Sequence, residues 1–268
     1  MSADLPGNLL MYLTLGACAG LLAGLLGIGG GLVIVAVLLW LLPLSGVPAE
    51  YAMHAALATS LASILFTAAA SAHAHHRRGS VLWPSVWRLV PGLLLGAALG
   101  ALAATALSGE TLRWLVAGYC VLAALQMLLG RVAADDGRPD APRSPLLMLA
   151  GGLIGALSAI VGIGGGSLTV PLLLRLGVAP VRAVGTSSAC GVAIAASSAV
   201  SYACFGPSGA LPSGGIGYVY LPAAASIAAA SMLAAPWGTR LAHALSGVAL
   251  SRVFAMFLLI VGVSLALR

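Results

Sequence analysis

From Leu9 to Pro43 the chain runs for 35 residues without one charged side chain. Seven further apolar segments follow, at about 49–72, 81–107, 112–130, 146–174, 180–205, 216–243 and 250–267. A bilayer core about 30 Å thick is crossed by roughly 20 apolar residues in a helix, and in lipid a span must satisfy its own backbone polar groups. A chain built this way folds as an all-α polytopic membrane protein. With 61% of its residues hydrophobic and 7% charged, nearly all of its mass belongs in the membrane, and no soluble catalytic domain fits between the spans.

The few charges describe topology. The chain has 12 arginines, no lysine and 6 acids, and the arginines are scattered among helix ends without interleaved stacking aromatics, so nucleic acid is excluded as a partner. MSADLPGN, ahead of the first apolar run, carries no basic residue, and the first span is expected to be retained rather than cleaved as a signal. Cys18, Cys120, Cys190 and Cys204 all lie in apolar segments without CxxC spacing, which indicates packing residues rather than a disulfide framework or a zinc site.

The polar stretch RVAADDGRPDAPRS, residues 131–144, divides the chain, and the two sides repeat each other. An offset of 135 lays GIGGG at Gly27–Gly31 on GIGGG at Gly162–Gly166, with Gly20 on Gly155 and Val35 on Val170. An offset of 127 lays Thr59-Ser60 on Thr186-Ser187, and one of 138 lays Pro84 on Pro222, Gly100 on Gly238 and ALSG at 106–109 on ALSG at 244–247. The organisation predicted is a first repeat over 1–130, a cytoplasmic linker over 131–145 and a second repeat over 146–268, each with four apolar segments of which the first is interrupted by glycine.

The positive-inside rule places Arg77, Arg78, Arg131, Arg138 and Arg143 in the cytoplasm. If segment 146–174 crossed once, Arg175, Arg182, Arg240 and Arg252 would all fall outside. If it is a re-entrant pair of half-helices they fall inside, leaving only Arg113 and Arg268 outside. The second arrangement makes the halves inverted repeats with both termini outside. It also suits length, since 35 residues at 1.5 Å each would span about 52 Å.

A glycine costs a helix interior roughly 1 kcal/mol relative to alanine, so the run Gly29–Gly31 breaks the helix. Broken backbone at membrane depth is tolerated only where it is buried in protein or lines a wet cavity, and a half-helix starting there offers free N–H groups and a positive dipole end to an anion. The expected binding residues are therefore Gly27, Gly29, Gly30, Gly31, Gly162, Gly164, Gly165 and Gly166. The hydroxyls of Thr59, Ser60, Thr186 and Ser187 either join them as donors or bond only to their own helices. Elsewhere, at Gly16, Gly20, Gly24, Gly96 and Gly100, the spacing is that of close helix packing; Gly96→Ala is expected to be milder than valine at Gly30 or Gly165.

None of the acids, Asp4, Glu50, Glu110, Asp135, Asp136 and Asp140, lies at the centre of an apolar span, so a carboxylate proton relay has no residues to run on. The ionisable groups nearest the interior are His54, Arg182, Arg240 and His243. His54 and Arg182 occupy nearly equivalent places in the repeats and either draw anions to the two mouths of a pathway or snorkel at the interface. HAHHRR at 73–78 reads as topogenic charge rather than a metal cluster, beside an interfacial Trp83 and Trp87.

Two halves that each open on GxGGG and a β-branched run, with Pro171 in GIGGGSLTVPLLL and GTSSA at 185–189, resemble the sulfite exporter TauE/SafE family, also called toluene sulfonate uptake permeases. The likeness covers almost the whole chain, with one departure, Ala36 in place of the first-half proline. It implies a multi-pass protein of the bacterial inner membrane that moves a small sulfur-containing anion. The expected mechanism is secondary transport by alternating access, with no cofactor and room for a coupling ion, H+ or Na+. Export of sulfite or an organosulfonate is the main expectation, and an uptake permease or a passive channel for small organic anions is the alternative. The oligomeric state is open. An intramembrane hydrolase on Gly185-Thr186-Ser187 with His243 as base is disfavoured, because the repeat would make Thr59-Ser60 a redundant half of its site; the chain is not expected to be an enzyme.

Overall fold

The computed structural model describes residues 5–26, 30–129, 146–242 and 247–267. Gly27, Gly29, the linker 131–145, His243 and the side chain of Arg240 lie outside the described residues. The first half supplies α1 (Leu5–Leu26), α2 (Gly31–Leu44), α3 (Ala52–Arg77), α4 (Trp83–Ala106) and α5 (Gly109–Leu129). The second supplies α6 (Leu146–Val161), α7 (Gly166–Arg175), α8 (Pro180–Phe205), α9 (Leu221–Ala242) and α10 (Gly247–Ala266). Between α8 and α9 a minimal antiparallel hairpin pairs β1 (Gly215–Ile216) with β2 (Val219–Tyr220).

Six of the eight apolar segments form one helix each, and the two that carry GIGGG are divided at the glycines. Gly30 and Gly165, the residues before α2 and α7, have φ of 62° and 74°, left-handed values that disfavour any residue with a Cβ. Gly162, at φ 77°, closes α6: its N–H and that of Ile163 both bond to the Ser158 carbonyl, at 2.9 and 3.0 Å. A Cβ built on Gly30 would stand 2.8 Å from the Ala19 carbonyl oxygen. The chain has therefore doubled back, and α2 begins beside α1 about two turns before that helix ends.

The divided segments are unequal. At 1.5 Å per residue the 22 residues of α1 extend about 33 Å, the length of a full crossing, and the 14 of α2 about 21 Å. The 16 residues of α6 and the 10 of α7 reach only about 24 and 15 Å. Among the described residues α3, α4 and α8 are each long and apolar enough to cross a membrane. Large apolar side chains such as Leu99, Leu122, Leu153, Leu233 and Ile260 face outward, as a surface bathed in lipid requires.

The two halves interlock. α1 packs chiefly along α9, α6 along α4, α3 against α8 and α5 against α10. Gly16 faces Ile227 and Ala230, and Gly20 faces Ser231, so α1 and α9 run parallel. Gly92, Gly96 and Gly100 meet Met148, Gly152 and Ala156 in the same order, so α4 and α6 also run parallel. α3 and α8 are antiparallel, with Ser71 bonded to Ser188 and His75 beside Gly185. Lipid supplies no hydrophobic drive between helices, so these contacts depend on close backbone approach. A Cβ on Gly16 would lie 2.6 Å from the Ile227 carbonyl oxygen, and one on Gly96 would fall on the carbonyl of Gly152.

Candidate functional site

The two breaks meet in the interior. A Cβ on Gly31 would lie 2.9 Å from the carbonyl oxygen of Gly162 and 3.2 Å from the Cα of Ile163. Ser60, fully buried on α3, shares its hydroxyl proton between the carbonyls of Gly31, at 3.3 Å, and Gly162, at 3.0 Å. One serine therefore joins the first break to the second, and in this state its hydroxyl is committed to the protein. Ile64, one turn further along α3, packs on Gly31 and Gly164 together.

Thr59 and Thr186 act as acceptors and bond to the opposite half rather than to their own helices. The N–H of Tyr220, immediately before α9, donates to Thr59 Oγ1 at 3.1 Å, and the N–H of Leu82, immediately before α4, donates to Thr186 Oγ1 at 2.9 Å. The offsets of 127 and 138 that relate the threonines and the two helix starts make these the same bond drawn twice. Each threonine satisfies an N–H at the start of a helix in the other half. The sequence pattern singles out these threonines but not this role, because the partner amides, just ahead of α4 and α9, are more than 100 residues away.

Gly162, Gly164, Gly165 and Gly166 are all buried at the second break, and Gly30 and Gly31 at the first. His54 and Arg182 stand at opposite ends of the antiparallel α3/α8 pair. His54 is 5% exposed and lies under the hairpin, stacked on Tyr218 with ring centroids 4.8 Å apart. Its Nε2–H donates to the Leu107 carbonyl at 3.1 Å, which leaves Nδ1 as an acceptor with no partner among the described residues. Tyr51 and Tyr202 also border Tyr218, and the Tyr202 hydroxyl donates to the Ala159 carbonyl of α6 at 3.0 Å, so this end is closed by aromatic rings. Arg182 is half-buried in the first turn of α8 and has an interaction partner. In the HAHHRR run, His76 Nδ1 accepts from Trp83 Nε1–H at 3.1 Å.

Two residues to which the sequence reading gives no role complete the setting. Ser158 on α6 and Thr169 on α7 are fully buried, and their hydroxyls have no hydrogen-bond partner among the described residues. Both stand beside Gly165, Ser158 Oγ 3.4 Å and Thr169 Oγ1 3.6 Å from the place a Cβ would take there. Above them α8 presents Ser187, Gly191, Ile194 and Ser198 at helical spacing; Gly191 abuts the Gly164 carbonyl, the tip of Ile194 reaches Gly165, and the hydroxyls of Ser187 and Ser198 are also unpartnered. Native proteins pair nearly all buried polar groups, so these unpartnered hydroxyls mark the second break as a candidate site. All of it is sealed from solvent in this state.

The chain also resembles known proteins. The family model for the sulfite exporter TauE/SafE matches residues 12–265. A probable membrane transporter protein of Haemophilus influenzae is 37% identical over 262 residues, covering 97% of this chain and 98% of the relative. A probable membrane transporter protein of Xylella fastidiosa is 30% identical over 67% of this chain and 68% of its own length. The probable membrane transporter protein YunE of Bacillus subtilis is 27% identical over 67% of this chain and 72% of its own. No solved structure matches.

Proposed function

The chain belongs to the sulfite exporter TauE/SafE family of membrane transporters, and from that premise we propose that it is a secondary transporter exporting a small sulfur oxyanion, sulfite or an organosulfonate, across the inner membrane. The anion is held at the glycine-broken helix starts and is passed across by alternating access. The observation that carries this reading is the buried seam in which the start of α2 at Gly31 meets the end of α6 at Gly162, with the start of α7 four residues further on at Gly166. Helix starts at membrane depth favour negative charge, and an anion there would find neutral donors and no carboxylate to repel it.

The division into repeats over 1–130 and 146–268 is supported by the exchanged packing of α1 on α9 and of α6 on α4, and by the paired threonine bonds. Inversion is supported by the antiparallel crossing of α3 and α8, which occupy equivalent places in the two halves. Two inverted halves around one enclosed seam allow either side to open by rocking one against the other. The doubled-back course at Gly30 and Gly165 supports re-entrant entry of α2 and α7, with both chain termini outside and a coupling ion, H+ or Na+, driving the cycle.

The test is flux from proteoliposomes loaded with sulfite or methanesulfonate under imposed H+ and Na+ gradients. Saturable anion efflux, with accumulation against the anion's own gradient when an ion gradient is imposed, is the expected result. Transport of cations or amines in preference to oxyanions overturns the reading. Anion flux that never runs uphill under any gradient replaces the transporter by a channel.

A further inference from the structure

The two breaks share a backbone but not a chemistry. The equivalent of Gly165 is Gly30, of Ser158 is Ala23 and of Thr169 is Ile34, by the offset of 135. The correspondence holds in space: the Cβ position at Gly165 has Ser158 Oγ at 3.4 Å, and that at Gly30 has the Ala23 methyl at 3.5 Å. On the α3 and α8 faces the contrast recurs. Ser60, Thr67 and Ser71, equivalents of Ser187, Ile194 and Ser198 by the offset of 127, all have partners: Ser60 the two glycine carbonyls, Thr67 the Ile64 carbonyl and Ser71 the Ser188 hydroxyl. Ser187 and Ser198 have none among the described residues.

Resting on the anion-transport reading above, we propose that the substrate site is one-sided: a single singly charged oxyanion binds at the second break, held by the hydroxyls of Ser158 and Thr169 and the first amides of α7, while the first break is a structural counterpart that binds none. The N–H groups of Gly166 and Ser167, in the first turn of α7, have no acceptor within their helix, and the 10-residue α7 directs its positive end at the same point. Gly165 keeps the approach to these amides clear of a side chain. Every donor in the set is neutral, which suits a sulfonate or hydrogen sulfite better than a dianion, whose desolvation this set does not offset. Ser187 and Ser198 flank the site from α8, and Ile194 between them covers it and must swing aside for the anion to enter.

The probe is methanesulfonate, permanently a monoanion, applied to the purified full-length protein in detergent for binding and in proteoliposomes for flux. Ser158→Ala and Thr169→Val each remove an unpartnered hydroxyl, so melting without ligand should be no lower than for the wild type, while affinity falls at least tenfold. Thr169→Ser should restore most of the affinity. Ala23→Ser, which places a hydroxyl at the first break, should change neither affinity nor the stoichiometry of one anion per chain. Two anions per chain, or unchanged affinity in both Ser158→Ala and Thr169→Val while the wild type carries methanesulfonate, overturns the one-sided site and leaves the transport reading intact. If the wild type neither binds nor carries methanesulfonate or sulfite, the transport reading fails and this site falls with it.

Discussion

Removing the hydroxyls of Thr59 and Thr186 should destabilise the protein rather than weaken its hold on a substrate. Valine has the shape of threonine without the acceptor, so Thr186→Val leaves the Leu82 N–H, bonded at 2.9 Å in a buried setting, without a partner. Thr59→Val does the same to the Tyr220 N–H, bonded at 3.1 Å and partly buried. An amide orphaned in this way costs about 1–3 kcal/mol, which is roughly a 5- to 150-fold shift in the unfolding equilibrium, and the more deeply buried Thr186 bond should stand at the upper end. The two bonds involve different helix starts, so the double variant should lose about the sum of the single losses. Reversible unfolding in mixed detergent micelles measures this, and methanesulfonate affinity measured on the folded fraction should be close to that of the wild type. Stability equal to wild type with a large fall in affinity would refute the reasoning and make these threonines donors to the anion.

Gly96→Ala and Gly118→Ala make the same chemical change with opposite outcomes. At Gly96 the new methyl falls on the Gly152 carbonyl and α4 must part from α6, costing about 1–3 kcal/mol, whereas Gly118 on the outer face of α5 has nothing within 4 Å and should gain up to about 1 kcal/mol of helix propensity; equal melting of the two variants would contradict the packing described. For topology, single cysteines in a background lacking the four native ones should label from outside at Ser213 and only after permeabilisation at Ala179, and the reverse pattern would make the halves parallel.

Gly96 also shows where the sequence stops informing. Its GxxxG spacing marks it correctly as a packing residue, but spacing does not reveal that the surface it meets is a bare backbone carbonyl. The apolar runs and the places where two of them break are legible, since each is written in local composition and periodicity. Which helix meets which is not: nothing near Gly16 indicates Ile227 as its neighbour. The same holds for Ser158 and Thr169. A hydroxyl within a membrane helix ordinarily bonds back to its own turn, and only the positions of α7 and α8 show that these two do not. The hairpin at 215–220 lies in a loop whose glycines suggest a turn but whose two-residue strands are too short for an alternating pattern to register.

The packing of α1 on α9 sets a timetable for the chain as it is made. Ser231, whose hydroxyl holds the Gly16 carbonyl, lies 215 residues later, an interval of roughly 10 to 40 s at ordinary rates of elongation. Throughout that interval α1 waits in the bilayer with a glycine-lined face uncovered, and α4 likewise waits for α6. The first half cannot complete itself before the second arrives. A fragment ending at the linker should therefore be a substrate for membrane proteolysis when made alone, and should be rescued when the second half is supplied as a separate chain.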